Sequence, residues 1–408
     1  MFPKNAIIRI LQIADSEELK HLMQNIKVDN YGIKIMAPKG IAHIIKINSL
    51  SCIAANILKQ EMLSLGADAA VSKYTLTGRT RKTDCVLLGN IAQISRLTEK
   101  LKRQPFGLNR LASMLVSALA NYEKRGFDLN LGSHKLHLAD SHSRIMGIMN
   151  LTPDSFSGDG LYSGQGKFKL SDAVIFAQKL AADGADIIDA GGESSRPGAK
   201  RVPLKEEIAR TIPVIKILAK CLKIPISIDT SKEEVAYQAL DNGAVIVNDI
   251  SGLRDPKMAK TIAKFNAGVV IMHMKGTPRR MQNNPAYGSL IDELIEYFTN
   301  AIEAALSRGI KKDKIIIDPG IGFGKTIEHN LSILKRLREL KILGCPILIG
   351  PSRKSFIGQI LKNSPQDRIS GTIAACCMAV KNGAHIVRAH DVKEVKEALK
   401  VSDAILNA

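Results

Sequence analysis

The 408-residue sequence predicts an α/β chain: a closed (β/α)8 barrel, the TIM-barrel architecture, over residues 126–408, preceded by a smaller α/β domain over residues 1–125. Two observations carry that prediction. Eight apolar runs, each breaking into polar or charged residues, alternate with helix-like segments from residue 145 to the C-terminus. Runs such as IIDA, AVIVND and KIIID are apolar on both faces, as parallel strands covered by helices should be. Eight such units in about 260 residues fit a closed barrel better than an open doubly wound sheet, which usually shows fewer.

From the N-terminus, strand-like stretches (AIIRILQIA, HIIKINS) mix with helix-like ones (SCIAANILKQEMLSLG, NIAQISRLTEKLKRQ, LASMLVSALANYEKR). They suggest a small α/β domain with no readable catalytic constellation. Residues 108–125 read as the helix leading into the barrel, and FDLNLGSHKLHL (127–138) as a short hairpin placed to plug its bottom. The barrel strands follow within IMGIMN, GADIIDAGG, PISIDTS, AVIVNDIS, AGVVIMHMKG, KIIIDPGIGFG, PILIGPSRKS and AHIVRAHD. Helices are predicted at 171–183, 204–222, 232–242, 256–265, 289–307, 329–340, 366–382 and 392–405. Three of them run into DGADII, NGAVIV and NGAHIV, where Gly184, Gly243 and Gly383 can take the left-handed cap before the next strand.

The bulk numbers narrow the class. A hydrophobic fraction of 45% with 24% charged residues excludes long disorder as the main theme. The formal charge of +19 divides into +9 over residues 1–140 and +10 over the rest, so it is not a basic tail. A denser cluster (Arg79, Arg81, Lys82, Arg96, Lys100, Lys102, Arg103, Arg110) lacks aromatic interleaving and reads as a solvated basic face rather than a nucleic-acid site. The N-terminus lacks the apolar core of a signal peptide and no run reaches the roughly 18 residues of a membrane span, so a cytoplasmic protein is expected. The six cysteines show no CxxC or Cys/His spacing and are expected to be reduced core thiols.

In a (β/α)8 barrel the loops after the strands share one face. Asn150, Glu193, Asp229, Asn248, His273, Asp318, Lys354 and Arg388 would therefore converge on one mouth. The carboxamide of Asn150 suits either a turn cap or a hard cation. GGESSRPGA (191–199) looks like a shaped pocket wall, with Arg196 free to meet a carboxylate and Pro197 stiffening the chain beside Ser195. Asp229, Asn248 and Asp318 end apolar runs, where each either caps the following helix or meets a ligand. Three of them on one face favour the edge of a heterocycle, since a carboxylate accepts two parallel hydrogen bonds from an amino group and a ring N–H. PGIGFGKT (319–326) has Pro319 where a P-loop requires glycine, so a glycine-rich wall letting backbone approach a flat ligand, with Phe323 available to touch it, is the better reading. SRKS and RAHD put donors and cations at the last two strand ends, where such barrels often hold phosphate. Arg388 offers a planar fork and His390 a second donor, whereas His273 suits core packing equally well.

Taken together, NLTPDSFS, GGESSRPGA, SIDTS, VNDIS, DPGIGFGK, SRKSFIG and RAHDV, in that order, make residues 130–408 resemble the dihydropteroate synthases of the pterin-binding barrel superfamily, some longer members of which carry an extra N-terminal domain. The resemblance implies condensation of 6-hydroxymethyl-7,8-dihydropterin diphosphate with p-aminobenzoate, giving 7,8-dihydropteroate and diphosphate. It implies that Asn150 assists Mg2+ and diphosphate, that Arg388 and His390 hold phosphates, and that Asp229, Asn248, Asp318 and Lys354 bind the pterin. Phe156, Ser195, Arg196, Pro197, Phe323 and Ser355 would shape the aminobenzoate pocket. A homodimer is the common family assembly.

Two positions depart from the family pattern. Ser195 stands where Thr is commoner, and SFSGDG displaces Asp159 by one position. The nearest rival, a methyltetrahydrofolate-handling methyltransferase domain, should not need the diphosphate-type SRKS and RAHD ends. A binding-only protein using a basic N-terminal domain is the rival of a different class.

Overall fold

The computed structural model describes residues 7–13, 15–77, 79–140, 142–152, 170–194, 201–277 and 280–408. Contacts divide the chain into two compact units, Met1–Glu123 and Lys124–Ala408.

The first unit holds α1 (Ser16–Asn25), α2 (Asn30–Gly40), β1 (Ala42–Ser51), α3 (Cys52–Ser64), β2 (Asp68–Val71), β3 (Lys82–Asn90), α4 (Ile91–Leu101) and α5 (Leu108–Glu123). Its antiparallel sheet runs in the order β1-β3-β2. Alternation along β1 and β3 turns Ile45, Ile47, Cys85 and Leu87 onto a core shared with Leu58 and Met62 of α3 and Ile94, Leu97 and Leu101 of α4. Ile44 and Leu88, paired across the two strands, point away and stay exposed. The helices start where side chains can satisfy free N–H groups: Asp15, Asp29, Ser51 and Asn90 each accept from the first turn.

The predicted strand AIIRILQIA is not formed. Residues 7–13 have no regular structure, and Ile7, Ile8 and Ile10 are almost wholly exposed. A strand, unlike a helix, needs a partner chain for its hydrogen bonds, and among the described residues this segment has none. Helices α1 and α2 were not anticipated; the apolar side chains of α1, Leu19, Leu22 and Met23, make a stripe of only three residues and are no more than half-buried.

The second unit begins with the hairpin β4 (Gly126–Leu131) and β5 (His134–Ala139), joined by a two-residue turn in which Gly132 takes φ 61. Eight parallel strands follow, β6 (Arg144–Asn150), β7 (Ile187–Gly191), β8 (Ile226–Asp229), β9 (Ile246–Asp249), β10 (Gly268–Met272), β11 (Ile315–Asp318), β12 (Leu348–Ile349) and β13 (Ile386–Ala389). They form one sheet, ordered β11-β10-β9-β8-β7-β6-β13-β12. A parallel bridge between Ile317 and Ile347 joins its two ends, so the sheet closes. Between the strands lie α6 (Leu170–Ala182), α7 (Leu204–Cys221), α8 (Glu233–Asp241), α9 (Pro256–Lys264), α10 (Leu290–Ser307), α11 (Ile327–Arg336), α12 (Ser355–Leu361) and α13 (Ile369–Lys381), with α14 (Val392–Leu406) last. The short α12 was not predicted. Gly184, Gly243 and Gly383 take φ of 106, 107 and 97 before their strands, as the recurring phrases required.

Alternation along the strands divides the barrel into an outer and an inner core. Outward residues such as Ile145, Ile188, Val247, Ile271 and Ile315 pack under the helices with Val214, Met258, Phe298 and Leu334. Inward residues of the lowest layer, Met146, Ile187, Ile246, Val270, Ile316, Leu348 and Ile386, form a single cluster with Phe127, Leu129, Leu131, Leu136 and Leu138 of the hairpin. The hairpin therefore seals the bottom, each leucine buried there being worth about 1.5–3 kcal/mol. Two residues further along β7, β9, β11 and β13 the inner wall turns polar, and that step sets the site. Of the cysteines, Cys85, Cys345 and Cys376 are buried and all six are free thiols, but Cys221, at the end of α7, is exposed and not a core residue.

Candidate active site

Directly above the apolar plug, Asp189, Asn248, Asp318 and Arg388 occupy the next inward positions of β7, β9, β11 and β13, with Asp229 ending β8 between them. Strand period alone decides which polar residue enters: Asn248 faces in, while its neighbour Asp249 faces out and accepts from the N–H groups of Ser251 and Leu253 at 2.8 Å each. Arg388 joins three strands. Its Nε donates to Asp189 Oδ2 at 2.6 Å and its Nη2 to Asp229 Oδ2 at 2.7 Å. Asn248 Nδ2 donates to the same Asp189 oxygen at 2.9 Å.

One guanidinium thus faces two buried carboxylates. Burial opposes the charge on Arg388, but Asp189 and Asp229 outweigh it and hold the side chain firmly protonated. Burial pushes Asp229 up to about 7, against the pull of Arg388 and with the help of Asp189. Asp318 is also raised by burial, although it accepts the N–H of Gly320 at 2.7 Å and lies near Lys354. Such a layer is stable as a set and costly to break, since removing one partner leaves an uncompensated charge inside the barrel.

The wall beside Asp318 is the loop 319–325. Gly320, Gly322 and Gly324 take φ of 69, 81 and 65. A Cβ on Gly320 would stand 2.1 Å from the carbonyl oxygen of His273, and one on Gly324 2.6 Å from that of Lys275. Glycine is required by both conformation and space. Lys325, buried behind this loop, donates to the Phe323 carbonyl at 3.0 Å and lies 3.0 Å from His273 Nδ1. Burial, with Lys325 beside it, pushes His273 down to about 3, so its imidazole is neutral and accepts at Nδ1. Burial lowers Lys325 to about 7. Phe323 packs with Met272, Met274 and Met281, and the Lys354 ammonium lies 4.2 Å from its ring centroid.

The last two strand ends are tied together. The hydroxyl of Ser352 lies 3.0 Å from His390 Nδ1 and accepts from the His390 backbone N–H at 3.2 Å. Arg353 takes φ 56, a conformation that a non-glycine residue holds only under constraint, and it is pinned by Asp391 through two hydrogen bonds and by Thr372 through its N–H. That turn delivers Lys354 to the mouth. Ser355 opens α12 and is exposed.

The loop after β7 is held at both ends by one lysine. Lys232 pairs with Glu193 and with the buried Glu207, and donates to the Val202 carbonyl at 2.8 Å. Thr230 donates to Glu207 at 2.6 Å, and Arg210 reaches the Gly192 carbonyl at 2.9 Å.

Of the predicted site residues, Asp229, Asn248, Asp318 and Arg388 share the polar inner wall, and Lys354 lies against Phe323 beside Asp318. Asn150 ends β6 in register with Gly191 and is half-buried. His390 lies on the Ser352 turn. Phe156, Ser195, Arg196, Pro197 and the displaced Asp159 fall outside the described residues. Glu193 and His273, expected at the mouth, are taken up by Lys232 and Lys325. Sequence reasoning missed Asp189 and Lys325. Asp189 did leave a signal, an acid inside an otherwise apolar run in IIDAGG, two residues from Gly191 on the same face.

Residues 146–390 match the family described as pterin binding enzyme. Dihydropteroate synthase from Synechocystis is 49% identical over 263 residues, 64% of this chain and 89% of the relative. The Escherichia coli K12 enzyme of that name is 45% identical over 268 residues, 66% of this chain and 93% of the relative. Among solved structures, Yersinia pestis dihydropteroate synthase in a sulfonamide drug complex superposes with a TM-score of 0.65 at 40% identity, over 69% of this chain and 100% of that one. The Xanthomonas albilineans enzyme with 4-aminobenzoic acid gives 0.64 at 38% identity, over 69% and 99%. Some matches reach further: a probable bifunctional folylpolyglutamate synthase/dihydropteroate synthase of Halobacterium salinarum is 36% identical over 388 residues, 95% of this chain but 46% of the relative. A match of that extent takes in most of Met1–Glu123.

Proposed function

The chain belongs to the pterin-binding enzymes and acts as a dihydropteroate synthase in folate biosynthesis, and from that premise we propose how its residues divide the work. The supporting observation is the buried polar layer on the apolar plug, in which Arg388 spans Asp189 and Asp229 beside Asn248, Asp318 and Lys354.

In this reading the pterin of 6-hydroxymethyl-7,8-dihydropterin diphosphate lies on that layer. Asp318 accepts from its amino group and ring N–H, Asn248 and Asp229 meet the other ring edge, and Lys354 donates to ring acceptors. Arg388 and His390 hold the diphosphate, which departs with the electron pair of the C–O bond. The cationic methylene left on the pterin is stabilised by the carboxylates beneath it. The amine of p-aminobenzoate then attacks the methylene, forms the C–N bond and loses a proton. No covalent protein nucleophile takes part. Phe323, packed under Lys354, and Ser355 would line the aminobenzoate pocket together with Phe156, Ser195, Arg196 and Pro197.

Mg2+ is part of the proposal. Among the described residues no three His, Cys, Asp or Glu side chains gather to hold a metal. Asn150 supplies one neutral hard oxygen at a strand end, which suits an ion that keeps several waters and completes its shell with substrate phosphates. When bound, it would neutralise charge growing on the departing diphosphate. Homodimeric assembly and a cytoplasmic location complete the reading, to be checked by sedimentation and by cell fractionation.

The deciding experiment follows diphosphate and dihydropteroate together, with each substrate omitted in turn. Product requiring both substrates and falling with Mg2+ chelation supports the reading. Folded protein that makes none, yet binds methyltetrahydrofolate, would move the chain to methyl transfer.

A further inference from the structure

Asp189 is wholly buried, and its strand register places it level with Ser227 on β8 and, through the Asn248 amide, in touch with β9. Its Oδ2 accepts from two donors at once, Arg388 Nε at 2.6 Å and Asn248 Nδ2 at 2.9 Å. An amide side chain can turn either its donor or its acceptor toward a ligand. Here the donor end of Asn248 is engaged below, so the acceptor end is the one left over, and Asn248 Oδ1 meets no hydrogen-bond partner from the described residues. Asp189 Oδ1 and Ser227 Oγ meet none either. Three buried polar atoms on three adjacent strands thus lack partners among the described residues, and two of them can only accept.

We propose that Asp189 is a positioning residue that locks the Asn248 amide with its oxygen toward the ligand while anchoring Arg388, so that the floor of the site selects a ring edge that donates hydrogen. The inference rests on the reading of this mouth as the pterin site. A ring presenting a carbonyl or bare nitrogen at that edge would set acceptor against acceptor and leave buried groups unpaired, a heavy penalty in a low-dielectric interior. The protonated ring nitrogen and exocyclic amine of a reduced pterin fit. Neither Asn248 nor Arg388 can choose this arrangement alone, because each has more than one way to place its N–H groups; the carboxylate of Asp189 removes the choice.

The test uses Asp189→Ala, Asn248→Ala and the double variant of the full-length protein. Asp189→Ala removes the shared acceptor and frees the Asn248 amide to turn. Binding of 6-hydroxymethyl-7,8-dihydropterin is measured by calorimetry, with inorganic diphosphate and Mg2+ as a separate probe of the Arg388 end, and the melting temperature as a control on folding. Each single variant should weaken dihydropterin binding by about tenfold or more, the size expected for one unpaired buried group. The double variant should bind within about threefold of Asn248→Ala, because Asp189 acts on the ring through the amide, a coupling that independent damage to packing does not produce. If Asp189→Ala does not fold, oxidised 6-hydroxymethylpterin decides: its bare ring nitrogen should cost it about tenfold against the dihydro form in the parent, and Asn248→Ala should shrink that preference. Losses that multiply in the double variant, single variants that bind as the parent does, or a parent with no preference between the two ring forms, overturn the inference. A parent protein that binds no pterin overturns the reading beneath it as well.

Discussion

Lys325 Nζ lies 3.0 Å from Nδ1 of His273, inside the barrel wall and out of reach of solvent, joining the end of β10 to the glycine loop after β11. The same ammonium donates to the Phe323 carbonyl, so one side chain shapes the loop whose ring meets Lys354. Burial lowers Lys325 to about 7, well below its ordinary 10.5. Between those values the unfolded chain holds more protons than the folded one, so the penalty for burying this lysine is full below pH 7 and is relieved as pH rises toward 10. Urea unfolding should therefore show the parent gaining stability over that range relative to Lys325→Met, by at most about 1.4 kcal/mol per pH unit. A difference that does not change with pH would mean that the amine titrates normally.

Asp229 sets the acid side of ligand binding. Its carboxyl is raised by burial to about 7, so it gains a proton, and loses one of its accepting sites, as pH falls below that value. Binding of 6-hydroxymethyl-7,8-dihydropterin, which carries no phosphate to titrate, should weaken from pH 8 to pH 6, and Asp229→Asn should bind weakly with the slope gone. Affinity constant across that range in the parent would remove Asp229 from the pterin site.

Asp318→Ala should fold and lose turnover by at least about 100-fold, since two hydrogen bonds to a charged group disappear together. Steady-state rates on protein of unchanged melting temperature are the measurement. Full activity would remove the pterin assignment.

The hairpin contributes to stability and not to chemistry. Leu138 is wholly buried among Met146, Ile187 and Val270 at the bottom of the barrel, below the polar layer. Leu138→Ala should cost about 2–5 kcal/mol in denaturant unfolding while leaving KM for both substrates unchanged at low temperature. A changed KM with stability intact would mean that the plug reaches the site.

Much of this protein could be read directly. The eight strand runs, the plugging hairpin, the glycines before three strands and the polar residues at Asp229, Asn248, Asp318 and Arg388 all follow from short-range pattern, because strand period, turn chemistry and the one-sided mouth of a barrel are local or architectural rules. Where pattern failed, pairing across the chain was the reason. AIIRILQIA has strand composition but no partner strand among the described residues, and α1 offers only the short stripe of Leu19, Leu22 and Met23 to announce it.

The sequence by itself determined the barrel, its family and the placing of Asp229, Asn248, Asp318 and Arg388 on one inner wall, since each depends on residues near one another or on motifs in a fixed order. Tertiary structure alone decided what those residues do to each other. Asp189 and Arg388 are 199 positions apart, and nothing in either neighbourhood says that one carboxylate will hold both the guanidinium and the Asn248 amide. Likewise His273 reads as a residue of the mouth and Lys325 only as part of a glycine-rich loop until closure of the wall buries them against each other. Charge, tautomer and hydrogen-bond direction are properties of the assembled interior, where the low dielectric makes the neighbour, and not the residue type, set the protonation state.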